Sequence, residues 1–388
     1  MIFLDINTFY GPRGGGIRTY HQAKINYFLT HPADSYILIY PGPDRREQRI
    51  GQNVHLVQLR GKAITSDPDG YRFLLDYSRL FQLIQRAKPD VIEAGDPYLT
   101  EFFTLFSPFR NRMIRASFFH SDSPETYLDP WLAGKKIPAG KTIAGIGKKL
   151  FLAMQKKFDT TLVPSLLLAD KLKTHGIRRV KYTPFGSDPL MLETYTERKF
   201  TQNQGKTALL YAARLDGEKS IDILLNSIPE LLLNENISIT VAGRGQYEKK
   251  FAAISHPRYH FAGFISSRSK LAELFNRNQV FLATGQYETF GFAVLEAMAA
   301  GLVVVGPDRG ETGLRLRHLY SPFMYRGGDQ QDFIEKIKHA CSSNLEPWAQ
   351  RGHNYARKFG SWDQAIERMI VHYRHLLYNY KPVPSNHR

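Results

Sequence analysis

One cysteine, Cys341, stands among 388 residues. A lone thiol closes no internal disulfide and supplies none of the paired thiolates of the common zinc sites, so both devices are excluded. A reducing compartment, the cytoplasm, is the expected location. Long apolar runs are missing too: no stretch reaches the roughly 18 apolar residues of a spanning helix. The start, Met1-Ile2-Phe3-Leu4-Asp5, meets a charge at its fifth residue, unlike a secretory leader. Acidic residues are absent from Pro130 to Phe158, where seven lysines stand. The composition is otherwise globular, 43% hydrophobic and 23% charged, which excludes a disordered or fibrous chain. The length predicts about two or three domains.

What is present begins with charge. The net charge is +16, and it is uneven. Residues 1–183 hold 27 Lys and Arg against 16 Asp and Glu, a surplus of 11, while residues 184–388 hold 25 against 20, a surplus of 5. An anionic partner is therefore expected for the first half: nucleic acid, an anionic membrane or a phosphorylated substrate.

Short apolar runs alternate with helical patterns. Met1–Ile6, Tyr36–Tyr40, Val54–Gln58, Val91–Glu93, Met113–Phe119 and Thr160–Val163 read as buried strands, with helices over Ile17–Leu29 and Tyr71–Ala87. The alternation then restarts. Ala208–Ala212, Ile237–Ala242, Tyr259–Phe261, Val280–Ala283 and Val303–Gly306 are strands, with Ile221–Leu232, Arg268–Phe275 and Gly291–Ala299 as helices. Two α/β units with parallel sheets follow, with a seam near the Pro- and Gly-containing segment Tyr182–Asp188. The expected division is a first domain over 1–183, a second over 184–365, and a C-terminal helix and tail over 366–388 packing back toward the first.

Three constellations suggest chemistry. In Glu288-Thr289-Phe290-Gly291-Phe292-Ala293-Val294-Leu295-Glu296 a strand leads through a loop into a helix opened by Gly291. Free N–H groups at such a helix start suit a phosphate, and the two carboxylates suit sugar hydroxyls. An ordinary amphipathic helix with two solvated glutamates is the alternative. Arg214 and Lys219 follow the strand Ala208–Ala212, where open α/β sheets bind ligands, and could neutralise a departing diphosphate. In the first half, the run Gly11-Pro12-Arg13-Gly14-Gly15-Gly16 follows the first strand and opens a helix. Gly15 and Gly16 allow close backbone approach to a phosphate or reacting centre, and Arg13 could add charge. His120-Ser121-Asp122 ends the strand Met113–Phe119.

These pieces stand in one order with Ala242-Gly243-Arg244-Gly245, Phe261-Ala262-Gly263, Glu296-Ala297-Met298-Ala299-Ala300-Gly301 and Val303-Val304-Val305-Gly306. In that order the second half resembles the retaining glycosyltransferases of family 4. The resemblance implies the GT-B fold, two Rossmann-like doubly wound domains facing a cleft. It implies that Arg214 and Lys219 bind the diphosphate of a nucleotide-sugar donor and stabilise it as leaving group. Glu288 would hold sugar hydroxyls, Thr289, Phe290 and Gly291 would offer N–H groups, and Glu296 would accept from the ribose. Gly243 and Gly245 would keep their loop low beside the nucleotide. His120 would contact the donor sugar and Asp122 would help position the acceptor. Thr289 stands where family members often have Gly, and Gly310-Glu311 where they often have a Gly pair.

No metal and no cofactor is expected beyond the nucleotide-sugar substrate. Asp67-Pro68-Asp69 has the D-x-D spacing of a metal motif but sits in a turn-like stretch. Across 130–158, Leu150, Phe151 and Met154 are expected on one helical face, with lysines elsewhere, the pattern of a helix lying on an anionic membrane. A core-facing helix with a solvated basic face is the alternative, and nothing resembles a nucleic-acid-binding module. The expectation is a cytoplasmic glycosyltransferase acting on a glycan or lipid-linked acceptor. A sugar-nucleotide epimerase of related fold and a non-catalytic nucleotide-sugar binder are the alternatives.

Overall fold

β-Branched and aromatic runs bounded by turn residues form the strands of two separate sheets, one in each of two units. The computed structural model describes residues 1–11, 15–63, 72–96, 99–105, 113–120, 140–195 and 206–379. The first unit is Met1–Phe185 with Trp362–Arg388, and the second is Gly186–Ser361.

The first sheet contains β1 (Ile2–Ile6), β2 (Ser35–Gly42), β3 (Arg46–Ile50), β4 (Val54–Ala63), β5 (Arg72–Leu74), β6 (Val91–Ala94), β7 (Ile114–Phe118), β8 (Thr160–Val163) and β9 (Val180–Tyr182). Their order is β3-β4-β2-β1-β6-β7-β8-β9, with β5 also on β4. β3 and β5 run antiparallel to β4, and the others are parallel. Both antiparallel strands depart from the all-parallel expectation. The helix expected over Tyr71–Ala87 is also divided. Arg72–Leu74 is strand, and the helix runs from Tyr77 to Ala87 with the Asp76 carboxylate accepting from Arg79 N. Asp competes with the backbone inside a helix and caps one well, so it starts the helix here. The core packs Leu4, Ile6, Ile39 and Ile92 of the strands against Leu80 and Ile84 of that helix. Trp362–Tyr378 is the last helix of this unit, and its Met369, Ile370 and Tyr373 are buried.

The second sheet contains β10 (Thr207–Ala212), β11 (Ile237–Ala242), β12 (Tyr259–Gly263), β13 (Val280–Leu282), β14 (Val303–Pro307) and β15 (Met324–Tyr325), all parallel. Their order is β12-β11-β10-β13-β14-β15. β10 therefore has its successor on one side and β13 on the other, the point where open sheets form a crevice at the strand carboxyl ends. The first sheet reverses in the same way at β1. The loops after β1, β10 and β13, singled out from sequence, all lie at such reversals.

Candidate functional site

In the second unit β10 ends at Ala212, Arg214 follows, and a turn of 3-10 helix, Gly217–Lys219, presents the second cation. Across the reversal, β13 leads into the loop carrying Glu288. The two segments meet: Lys219 Nζ donates to Glu288 Oε1 at 2.6 Å, and Thr284 Oγ1 donates to the Lys219 carbonyl at 2.6 Å. Arg214 pairs with Glu218 and lies 3.6 Å from Asp216. Glu218 and Asp216 were not among the sequence candidates, although the four-residue spacing from Arg214 to Glu218 is a readable pairing signal. Both cations of this crevice are thus held by acids of the unit's own chain.

Gly291 takes φ +70°, left-handed backbone that a side chain rarely adopts, and caps the helix Phe292–Ala299 without a side-chain bond. Its geometry brings Thr289, Phe290 and Gly291 to the start of that helix. Gly243 and Gly245 have no room for a side chain. A Cβ at 243 would stand 2.0 Å from the Ala213 carbonyl oxygen, and one at 245 would stand 2.5 Å from that of Leu215. These glycines let the loop after β11 lie on the loop that bears Arg214, and Leu215 N donates to Arg244 O at 3.0 Å.

Glu296 lies two turns into the helix and accepts from Arg268 at 2.8 Å; the same guanidinium also pairs with Asp188. Burial raises the Glu296 carboxyl above its ordinary value, against the opposing pull of Arg268. Asp188 also accepts from Leu190 N and so caps the helix begun by Pro189. Arg268 is 80 residues from Asp188 along the chain, and no local spacing announces that pairing.

In the first unit Gly15 and Gly16 open the helix Gly15–Thr30 directly after the β1 loop. His120 follows β7, stacked on Phe118 with ring centroids 4.2 Å apart and edge-on to Tyr20 at 4.9 Å. Burial, with His21 and Lys24 nearby, holds the His120 imidazole well below the ordinary histidine value, which favours its neutral form. Beside it is a cluster that sequence reading missed. Lys24 Nζ donates to Asp5 Oδ2 at 2.6 Å and Glu93 Oε2 at 3.0 Å. Tyr36 OH donates to Asp5, Tyr20 OH to Glu93, and Tyr373 OH of the last helix to Glu93. Burial alone would raise Asp5, and Lys24 with His21 brings it below its ordinary value; burial and Asp5 raise Glu93 despite Lys24.

Arg13 and Asp122 lie outside the described residues, as do Asp67, Asp69 and 130–139. Among the described residues no three His, Cys, Asp or Glu side chains converge on a possible metal position. The helix Gly140–Gln155 corrects the expected lysine-and-apolar faces. Phe151 and Leu152 pack on the cluster of Phe119, Val163 and Leu168, Met154 packs on Phe158, and Leu150 points outward with Lys149. Most of the apolar side chains described in this helix therefore belong to the core. No described helix is long and apolar enough to cross a membrane.

Two doubly wound units, the second with cation–acid pairs and a glycine-capped helix at its sheet's reversal, make up the GT-B fold. The chain has the fold of sucrose-phosphate synthase from Thermosynechococcus elongatus, with a TM-score of 0.73 at 14% identity, covering 98% of this chain and all of that one. Residues 194–359 match the family glycosyl transferases group 1. Two relatives come from Mycobacterium tuberculosis. A GDP-mannose-dependent alpha-mannosyltransferase is 27% identical over 277 residues, 70% of this chain and 68% of the relative. A GDP-mannose-dependent alpha-(1-6)-phosphatidylinositol dimannoside mannosyltransferase is 24% identical over 319 residues, 79% of each.

Proposed function

We propose that the chain is a retaining, metal-independent glycosyltransferase of family 4 that takes a hexose from a GDP-sugar and delivers it to a lipid-linked acceptor. The observation that carries the reading is the Lys219–Glu288 pair at 2.6 Å beside Arg214 and the Gly291 cap. Two cations and a helix N-terminus are where the charge of a departing diphosphate needs to be met. Arg214 and Lys219 leave their acid partners for the diphosphate, Glu288 takes sugar hydroxyls, and the amides of Thr289, Phe290 and Gly291 bind beside the phosphate. Glu296 accepts from the ribose. The neutral imidazole of His120 serves a sugar hydroxyl. The bond from the anomeric carbon to phosphate oxygen breaks as the acceptor oxygen bonds to the same face, and the acceptor's proton passes to the departing diphosphate.

GDP-mannose and a glycolipid acceptor are supported by the two mannosyltransferase relatives. Peripheral docking on an anionic membrane is supported by the lysines of 130–158 and by the outward Leu150, Leu166 and Leu167. The test is transfer by the full chain from GDP-mannose and UDP-glucose to a mannolipid acceptor, with the product's anomeric configuration read by proton NMR. An α-linked product from GDP-mannose supports the reading. A β-linked product ends retention, and turnover with UDP-glucose alone ends the GDP assignment. Epimerised sugar without transfer would favour an epimerase.

A further inference from the structure

Behind the loop carrying Glu288 lies the helix Gly310–Leu319. It contributes Arg315, whose side chain is 1% exposed. A buried guanidinium is costly to desolvate, and an apolar side chain of similar volume fills such a space without that cost. What the charge touches gives a reason for it. Arg315 Nη1 donates to the Gly291 carbonyl at 3.3 Å. The guanidinium carbon lies 4.5 Å from the centroid of the Phe290 ring and 5.6 Å from that of Phe359. Its Nε is 3.6 Å from Glu311 Oε1, and Glu311 N donates to the Glu288 carbonyl at 3.0 Å. One arginine and its acid partner therefore reach Glu288, Phe290 and Gly291 from one side.

The Gly291 carbonyl also accepts from Leu295 N at 3.0 Å, the bond that starts the helix. With two lone pairs it can serve both donors. The peptide whose left-handed turn sets the direction of the neighbouring amides is fixed by helix and guanidinium together. The guanidinium, partly offset by Glu311, places positive charge beneath a helix N-terminus that already favours anions.

We propose that Arg315 is a positioning residue for the donor diphosphate: it holds the Phe290–Gly291 turn from behind and strengthens its hold on phosphate without touching the nucleotide. This rests on the diphosphate assignment above. The test is calorimetric titration of the full chain with GDP and GMP, which differ by one phosphate, in wild type, R315M, R315K and K219A, with melting temperatures alongside. R315M is expected to lose about tenfold in GDP affinity with GMP changed less than about twofold, and R315K, keeping charge but lacking the planar fork, about threefold. An unchanged GDP-to-GMP preference in R315M, or equal weakening of both ligands, overturns the proposal and leaves Arg315 a packing residue. If R315M does not fold, R315K decides alone by the same criterion. K219A separates the two levels. If it binds GDP like wild type, the diphosphate assignment falls and this proposal with it. If K219A loses GDP while both Arg315 variants keep the wild-type preference, only this proposal falls.

Discussion

Each unit places a charge cluster at its sheet's reversal, and the two clusters treat charge in opposite ways. The first buries it: Lys24, 1% exposed, lies between Asp5 and Glu93 under three tyrosine hydroxyls. The second keeps Lys219 and Arg214 part-exposed at strand ends, each paired with one close acid. A buried, fully bonded charge fixes a structure because its partners have nowhere else to go. A half-exposed pair can exchange its acid for a ligand at little cost, because water screens the interval. Under the proposed function the first network is scaffold and the second exchanges its acids for the donor.

The largest effect is expected where that difference is attacked in the interior. Lys24→Met leaves Asp5 and Glu93 buried without their cation and should cost about 3–5 kcal/mol of folding stability in chemical denaturation. A loss below about 1 kcal/mol would erase the contrast between the units. Next come the surface pairs. Arg214→Ala and Lys219→Ala should each cost about 2–4 kcal/mol in kcat/KM, with a smaller change in stability than Lys24→Met because both pairs are part-exposed. Glu288→Ala should act on turnover and sugar choice. A stability loss matching Lys24→Met would make the crevice pairs structural too.

The two regions also differ in how readable they were. Arg214, Lys219, Glu288 and Glu296 sit just beyond strand ends or in the helix that follows, so apolar runs and short spacings located them without a structure, while Gly243 and Gly245 were singled out through the family resemblance. The two parallel-sheet units came from the same strand–helix alternation, while the strand order and its reversals did not. The buried cluster joins residues 5, 24, 36, 93 and 373, and no local pattern connects positions so far apart. Arg46–Ile50 was missed for a different reason. Four of its five residues are exposed, so an edge strand of that kind has no apolar alternation to read. The face assigned to Leu150 erred because helical periodicity finds an apolar stripe but not what covers it: Phe151, Leu152 and Met154 face the core instead.

A pH series sharpens the scaffold side. Glu101 accepts from Ser117 Oγ and Gln155 Nε2, both at 2.6 Å, and burial pushes its carboxyl up to about 8. Folded chains therefore keep a proton that unfolded chains release at much lower pH. The stabilisation is complete below the unfolded value and is lost as pH rises through about 8. Glu101→Gln, which never ionises, should gain roughly 4 kcal/mol relative to wild type between pH 5 and pH 8.5 in urea denaturation. An identical pH slope in the two proteins would place Glu101 in contact with water.

The remaining effect concerns the lysine-rich segment of the first unit. Co-sedimentation with anionic vesicles at low salt should fall when Lys148, Lys149, Lys156 and Lys157 become Gln, at roughly 1 kcal/mol for each lysine near the surface. High salt should abolish it, since charges beyond a Debye length are screened. Wild type that ignores anionic vesicles at low salt would favour a soluble acceptor.

The central claim is that side chains of the second unit, with no metal ion, hold the donor diphosphate. Its most direct test is GDP titration in excess EDTA with wild type and the double variant R214A/K219A. Wild type should bind in EDTA as it does without it, and the double variant should lose at least about a hundredfold in affinity, the loss of two charge contacts. Binding that disappears in EDTA and returns with magnesium, or a double variant that binds GDP as wild type does, would contradict it.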